Sequence, residues 1–157
     1  MKQQPLLDLL TDAALALRLP GVTRETIARP NELPETSDSE FRFEVYVEDF
    51  NAVPDSELSS ASVGCGVIVA SVPLGSGSDR LDAVANALVD IVRLWRVQPF
   101  RNMVVTESLF REKKVKRESR VYVAGVDRSN GLVVDGRYKV NIVVQFEIYE
   151  EDYYERN

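Results

Sequence analysis

Residues 135–157 read DGRYKVNIVVQFEIYEEDYYERN. From Tyr138 to Ile148 an apolar side chain stands at every second position: Tyr138, Val140, Ile142, Val144, Phe146 and Ile148. A period of two belongs to a strand with one buried face. Asp135-Gly136, just ahead of it, is the kind of pair that two-residue hairpin turns use. The stretch therefore reads as a hairpin opening into one long final strand. The eleven residues Tyr138–Ile148 span about 36 Å at roughly 3.3 Å each, enough to outrun the core they pack on. The overhang would either pair with a neighbouring copy or twist across a large sheet of its own chain.

Working back toward the N-terminus, LVVDGRYKV completes that hairpin, RSNG marks a turn, and VYVAGVD and NMVVTESLF read as strands. Leu81, Val84, Ala85, Leu88, Ile91, Val92 and Trp95 form one apolar stripe at helical spacing, while Asp82, Asn86, Asp90 and Arg93 face away. This predicts a helix over 79–96. The turn PLGSGSD precedes it, with Ser76 or Ser78 as the cap and Ser76–Asp79 as an approximate capping box. SVGCGVIVASV is a central strand, and its small residues Gly64, Cys65 and Gly66 predict close packing on one side. EFRFEVYVEDF alternates, with Phe41, Phe43, Val45 and Val47 on one face, and NAVPDSELSSAS between the two reads as a loop. Leu6, Leu9, Leu10, Ala13, Ala14 and Leu17 predict a first helix over 5–19, stopped by Pro20-Gly21. Residues 21–40, with two prolines, read as a long connection. The sum is a single α+β domain over 1–157: a largely antiparallel or mixed sheet with two main helices packed on one face.

Composition narrows the chemistry. A chain of 157 residues, 45% hydrophobic and 28% charged, is long enough for one substantial core. It carries no apolar run of transmembrane length, and Asp8 and Asp12 interrupt the apolar N-terminal stretch as they would not in a signal peptide. A formal charge of −6 argues against general nucleic-acid binding. Histidine is absent, which removes Ser-His-Asp and Cys-His catalysis and histidine-containing zinc sites. The lone Cys65, between two glycines, has no local base and reads as a core residue in a chain suited to a reducing compartment. PLGSGSD lacks the lysine and spacing of a phosphate loop, and Asp127 and Asp135 sit in turns without metal-binding spacing. No catalytic residue, metal or cofactor is expected.

The strongest local charge feature is REKKVKRESR, residues 111–120, with Arg111, Lys113, Lys114, Lys116, Arg117 and Arg120 against two glutamates. It has no apolar period and reads as a basic loop, either solvated or touching phosphate or an acidic surface. The acidic end, with Glu147, Glu150, Glu151, Asp152 and Glu155 and a tail over 150–157, is its natural complement in the same chain or a neighbour.

The order of elements, ARPNELPE leading into FRFEVYVED, and DGRY opening the long last strand resemble the tail terminator (tail completion) proteins of long-tailed bacteriophages, the lambda-type minor tail proteins included. The resemblance implies a non-catalytic building block. It would form a ring, typically of six copies, that caps the tail tube, stops its polymerisation and presents a surface to head-proximal connector or neck proteins. Its place would be the virion tail, assembled in the bacterial cytoplasm and away from membranes. The resemblance leaves the basic segment and the acidic end without an assigned role. The expectation is that these two surfaces meet between subunits or against a tail partner. Three rivals stand beside this reading: a nucleic-acid-contacting module using residues 111–120, including contact with DNA in the lumen; another head–tail connector protein; and a small carboxylate enzyme.

Overall fold

The computed structural model describes the backbone of residues 4–54, 59–97, 104–110 and 113–154, and the side chains of 6–48, 63–94 and 120–149. Strands β1 (Arg42–Pro54), β2 (Ser59–Pro73), β3 (Val104–Phe110), β4 (Lys113–Arg128), β5 (Leu132–Val134) and β6 (Arg137–Tyr154) form one sheet. Its order is β1-β2-β6-β4-β3, with β5 beside β6, and every strand pair is antiparallel. Helices α1 (Gln4–Leu15) and α2 (Ser78–Val97) cover one face, as an α+β fold requires.

The core lies between that face and the helices. From β6 come Val140, Ile142, Val144, Phe146 and Ile148, all fully buried, from β2 Ile68, Ala70 and Val72, and from β1 Phe43 and Val45. Helix α1 buries Leu6, Leu7, Leu9, Leu10, Ala13 and Ala14. Thr11 is buried among them because its hydroxyl donates to the Leu7 carbonyl at 2.7 Å. The helix ends at Leu15, short of the predicted Leu19, because Arg18 turns left-handed at φ 52° and the last turn tightens, Arg18 N–H donating to Leu15 O at 3.0 Å. Helix α2 buries Leu81, Val84, Ala85, Leu88 and Val92 as its periodicity predicts, and Val89 in addition. The side chain of Trp95 lies outside the described residues. Arg128 fastens α2 to β4, with bonds of 2.7 Å to Asp82 Oδ1 and to Asn86 Oδ1.

Gly66 marks a close approach of α1 to the sheet. A Cβ there would stand 2.7 Å from Phe146 Cε2 and 2.8 Å from Leu10 Cδ1. Within the small-residue run of β2, Gly66 is thus a packing requirement. The hairpin also forms as read: Asp135 and Gly136 both take positive φ (52° and 72°), the pattern of a two-residue hairpin turn whose twist matches its strands.

Three expectations are corrected. Residues 51–62 are not a loop, since β1 extends to Pro54 and β2 begins at Ser59, leaving only 55–58 between them. Residues 113–120 are not a basic loop but the first half of β4. The long last strand does not overhang. It is the centre of the sheet, paired with β2 from Arg137 to Glu151 and with β4 from Ile142 to Tyr154. Residues 51–54, 59–62 and 113–120 lack an alternating pattern, and their strand state comes from partners on the sheet, which override local propensity.

Candidate assembly surface

The register places the two charge features side by side within one chain. Lys116 stands opposite Tyr153, Arg117 opposite Asp152, Glu118 opposite Glu151, Ser119 opposite Glu150 and Arg120 opposite Tyr149. Lys113 and Lys114 pair across to Phe110 and Leu109 of β3. Glu147 lies opposite Tyr122. Its Oε2 accepts from Tyr149 Oη at 3.2 Å, and the Tyr122 and Tyr149 rings meet edge to face at 5.6 Å. Arg111 and Glu155 lie outside the described residues. The basic and acidic segments were expected to complement each other in the same chain or a neighbour, on surfaces that meet between subunits or against a tail partner. Over Lys116–Arg120 and Tyr149–Tyr153 they are cross-strand neighbours in the same chain, because β4 and β6 run antiparallel and share the end of the sheet beyond Ile148.

The sheet face away from the helices carries the alternate residues. On β1 these are Arg42, Glu44, Tyr46 and Glu48. Burial, then Glu48, then Glu44 raise the Tyr46 pKa above the usual phenol value. Cys65 lies on this face as a half-buried free thiol rather than in the core between sheet and helices.

One corner of this face is both cationic and apolar. Arg42, Ser71, Lys139 and Leu132 stand in one row across β1, β2, β6 and β5. Arg137, opposite Val134, donates to Ser71 Oγ at 3.0 Å and to the Glu40 carbonyl at 2.9 Å. Among the described residues, none of Arg42, Arg137 and Lys139 has a carboxylate within ion-pair distance. Burial, and then the charge of Arg42, lower the Arg137 pKa. Beside the cations, Leu132, Val133 and Val134 are 65%, 61% and 42% exposed on a strand hydrogen-bonded on one side only, and Leu74 is exposed next to the hairpin turn. A three-residue arm with three apolar side chains cannot bury both faces, and that signal was present in LVV.

The opposite edge of the sheet is capped by the connection from α1. Ala28 N–H donates to Phe43 O and Val45 N–H donates to Ala28 O, both at 2.9 Å. The chain then turns through Asn31 (φ 61°), with Glu32 N–H to Arg29 O at 3.1 Å. Arg29, with its side chain 3% exposed, pins this turn through Nη2 to Asp8 Oδ1 at 2.6 Å and lies 4.0 Å from Glu32. Glu35 N–H donates to Glu25 O at 2.7 Å. Between these anchors Leu33 is 98% exposed, flanked by Glu32 and Glu35. Reading 21–40 as a long connection with little regular structure did not show this device, because its anchors are long-range.

Among the described residues no cluster of His, Cys, Asp and Glu could hold a metal ion. A cleft of about 510 Å³ lies between Pro20-Gly21 and Asp38–Phe41, and its cation Arg80 is already paired with Glu40 at 2.5 Å. No helix among the described residues is long and apolar enough to cross a membrane. No family model matches the chain, and no curated protein matches it. One solved structure, whose name is a bare sequence label, aligns over 95% of this chain and 98% of its own, at 18% identity and a TM-score of 0.42, a likeness too distant to carry an argument.

Proposed function

We propose that the protein is a structural tail terminator of a long-tailed bacteriophage, a non-catalytic subunit that closes into a ring on the tail tube, stops its growth and offers its far side to head-proximal connector proteins. The family resemblance supplies the ring and its usual number of six. The observation that carries the reading is the broad sheet with opposite edge strands, β1 on one side, capped at Ala28, and β3 and β5 on the other. Side-by-side edges of this kind suit head-to-tail association, and such contacts close into rings when the rotation between copies permits. The central strand has both of its own sides filled over most of its length, so the edges carry the assembly role in its place.

Light scattering on the purified chain tests the reading, alone and with preformed tail tubes. The expected particle is a closed oligomer, about 106 kDa for six copies of the 17.7 kDa chain, with tubes capped at one end. A strict monomer in both preparations refutes it.

A further inference from the structure

We infer that the acidic Glu32-Leu33-Pro34-Glu35 turn of one copy docks onto the cationic, apolar corner formed by Leu132, Val134, Arg42, Arg137 and Lys139 of the next copy. The inference deepens the assembly reading above and rests on it.

The two surfaces suit each other in shape and charge. The turn presents one fully exposed leucine from a backbone held at both ends, so little conformational entropy is lost when it docks. Its side chains carry two carboxylates and no cation. The corner offers exposed apolar side chains beside three cations that no described carboxylate neutralises. In a chain of net charge −6 such a corner is unusual. An edge strand with three exposed apolar residues in sequence is also a surface that folded proteins normally cover. Arg137 is held in place by Ser71 and the Glu40 carbonyl, so its charge is positioned before any partner arrives.

The occupant is a second copy because the two surfaces cannot meet within one chain. Ala28, Glu44, Val69 and Asn141 lie in one row across the sheet, and β5 flanks β6 on the far side. Four strand spacings of about 4.8 Å separate the Ala28 edge from the β5 edge, roughly 19 Å along the sheet. Complementary surfaces on opposite edges make a head-to-tail contact, which propagates as a ring or a chain.

Directed cross-linking tests this, using full-length chains with Cys65→Ser as background. Leu33→Cys protein mixed with Leu132→Cys protein should form disulfide-linked dimers at least about tenfold faster than either protein alone, as a head-to-tail contact requires. A chain carrying both cysteines should form a ladder. A charge swap in the Cys65-containing protein provides the second readout. Arg42→Glu with Lys139→Glu should weaken association at least about tenfold, and Glu32→Lys with Glu35→Lys in the same chain should restore it. Oligomers that form without the Leu33–Leu132 cross-link, and that ignore the swap, overturn this interface while leaving the ring reading in place. Cross-linked chains that never close support the interface and refute the ring. Faster linking of Leu33→Cys protein to itself overturns the head-to-tail arrangement.

Discussion

Replacing Gly66 by alanine tests the close packing of α1 on the sheet. Gly66 sits in the middle of β2, opposite Val47 on one side and Val144 on the other. A methyl group there would meet Phe146 Cε2 at 2.7 Å and Leu10 Cδ1 at 2.8 Å, whereas carbons pack at about 3.5–4.0 Å. Phe146 and Leu10 are both fully buried, so neither can swing into solvent. Either α1 lifts from the sheet or the Phe146 ring leaves its place, and overpacking of this kind costs about 1–3 kcal/mol. Alanine also restricts the unfolded chain more than glycine does, which returns about 0.4–1 kcal/mol. The expected net loss is about 1–2 kcal/mol, read as a lower urea midpoint at unchanged slope. In a chain of this size that lowers Tm by roughly 2–8 °C. Leu10→Ala alone should cost about 2–5 kcal/mol, since it opens a cavity beside Gly66. In that background Gly66→Ala should cost less, with a coupling of at least about 0.5 kcal/mol. A neutral Gly66→Ala, or an equal cost in both backgrounds, would refute the contact.

Leu88→Ala, at the fully buried centre of the α2 stripe, should destabilise by about 2–5 kcal/mol on chemical denaturation. Arg117→Glu places a carboxylate opposite Asp152 and should cost about 0.2–1 kcal/mol, and Asp152→Lys in the same chain should recover it. The Tyr46 pKa is raised on folding, so above about pH 10 the unfolded chain loses this proton while the folded chain keeps it. Stability is then lost as pH rises from the unfolded value through the folded one, and Tyr46→Phe should reduce that alkaline loss in urea titrations.

The sequence made the fold legible wherever one face of an element is buried and the other is wet. The α2 stripe, the alternation of Phe41 to Val47 and of Tyr138 to Ile148, the small residues of β2 and the Asp135-Gly136 turn each carry a local signature, and each lies where that signature puts it. What stayed hidden depends on partners distant in sequence. Residues 51–54, 59–62 and 113–120 have polar or mixed composition, and they are strands because β6 runs far enough to template β2 and β4 alongside it. The Leu33 turn was hidden for the same reason, since its anchors Asp8 and Glu25 are brought to it by the fold. Of the charge features singled out, the opposite signs of residues 113–120 and 147–152 were legible as complementary, but the antiparallel register that joins them in one chain was not.

That register divides the electrostatics of the molecule into two parts. Arg117 and Asp152 stand opposite each other in the register of β4 and β6, so salt acting on that pair changes folding stability. The Arg42, Arg137 and Lys139 corner and the Glu32 and Glu35 turn are on opposite edges, so salt acting on them changes association. Both effects weaken as the Debye length falls from about 10 Å at 0.1 M salt to about 3 Å at 1 M. A loss of assembly at high salt therefore has two sources, a weakened subunit or a weakened contact. They differ in the isolated subunit: a weakened subunit has a lower urea midpoint, whereas a weakened contact leaves that midpoint unchanged. Charge reversal separates them further. Arg117→Glu should lower the urea midpoint of the isolated chain, while Arg42→Glu with Lys139→Glu should leave that midpoint within about 0.5 kcal/mol, as substitutions on an open surface do, and act on association instead.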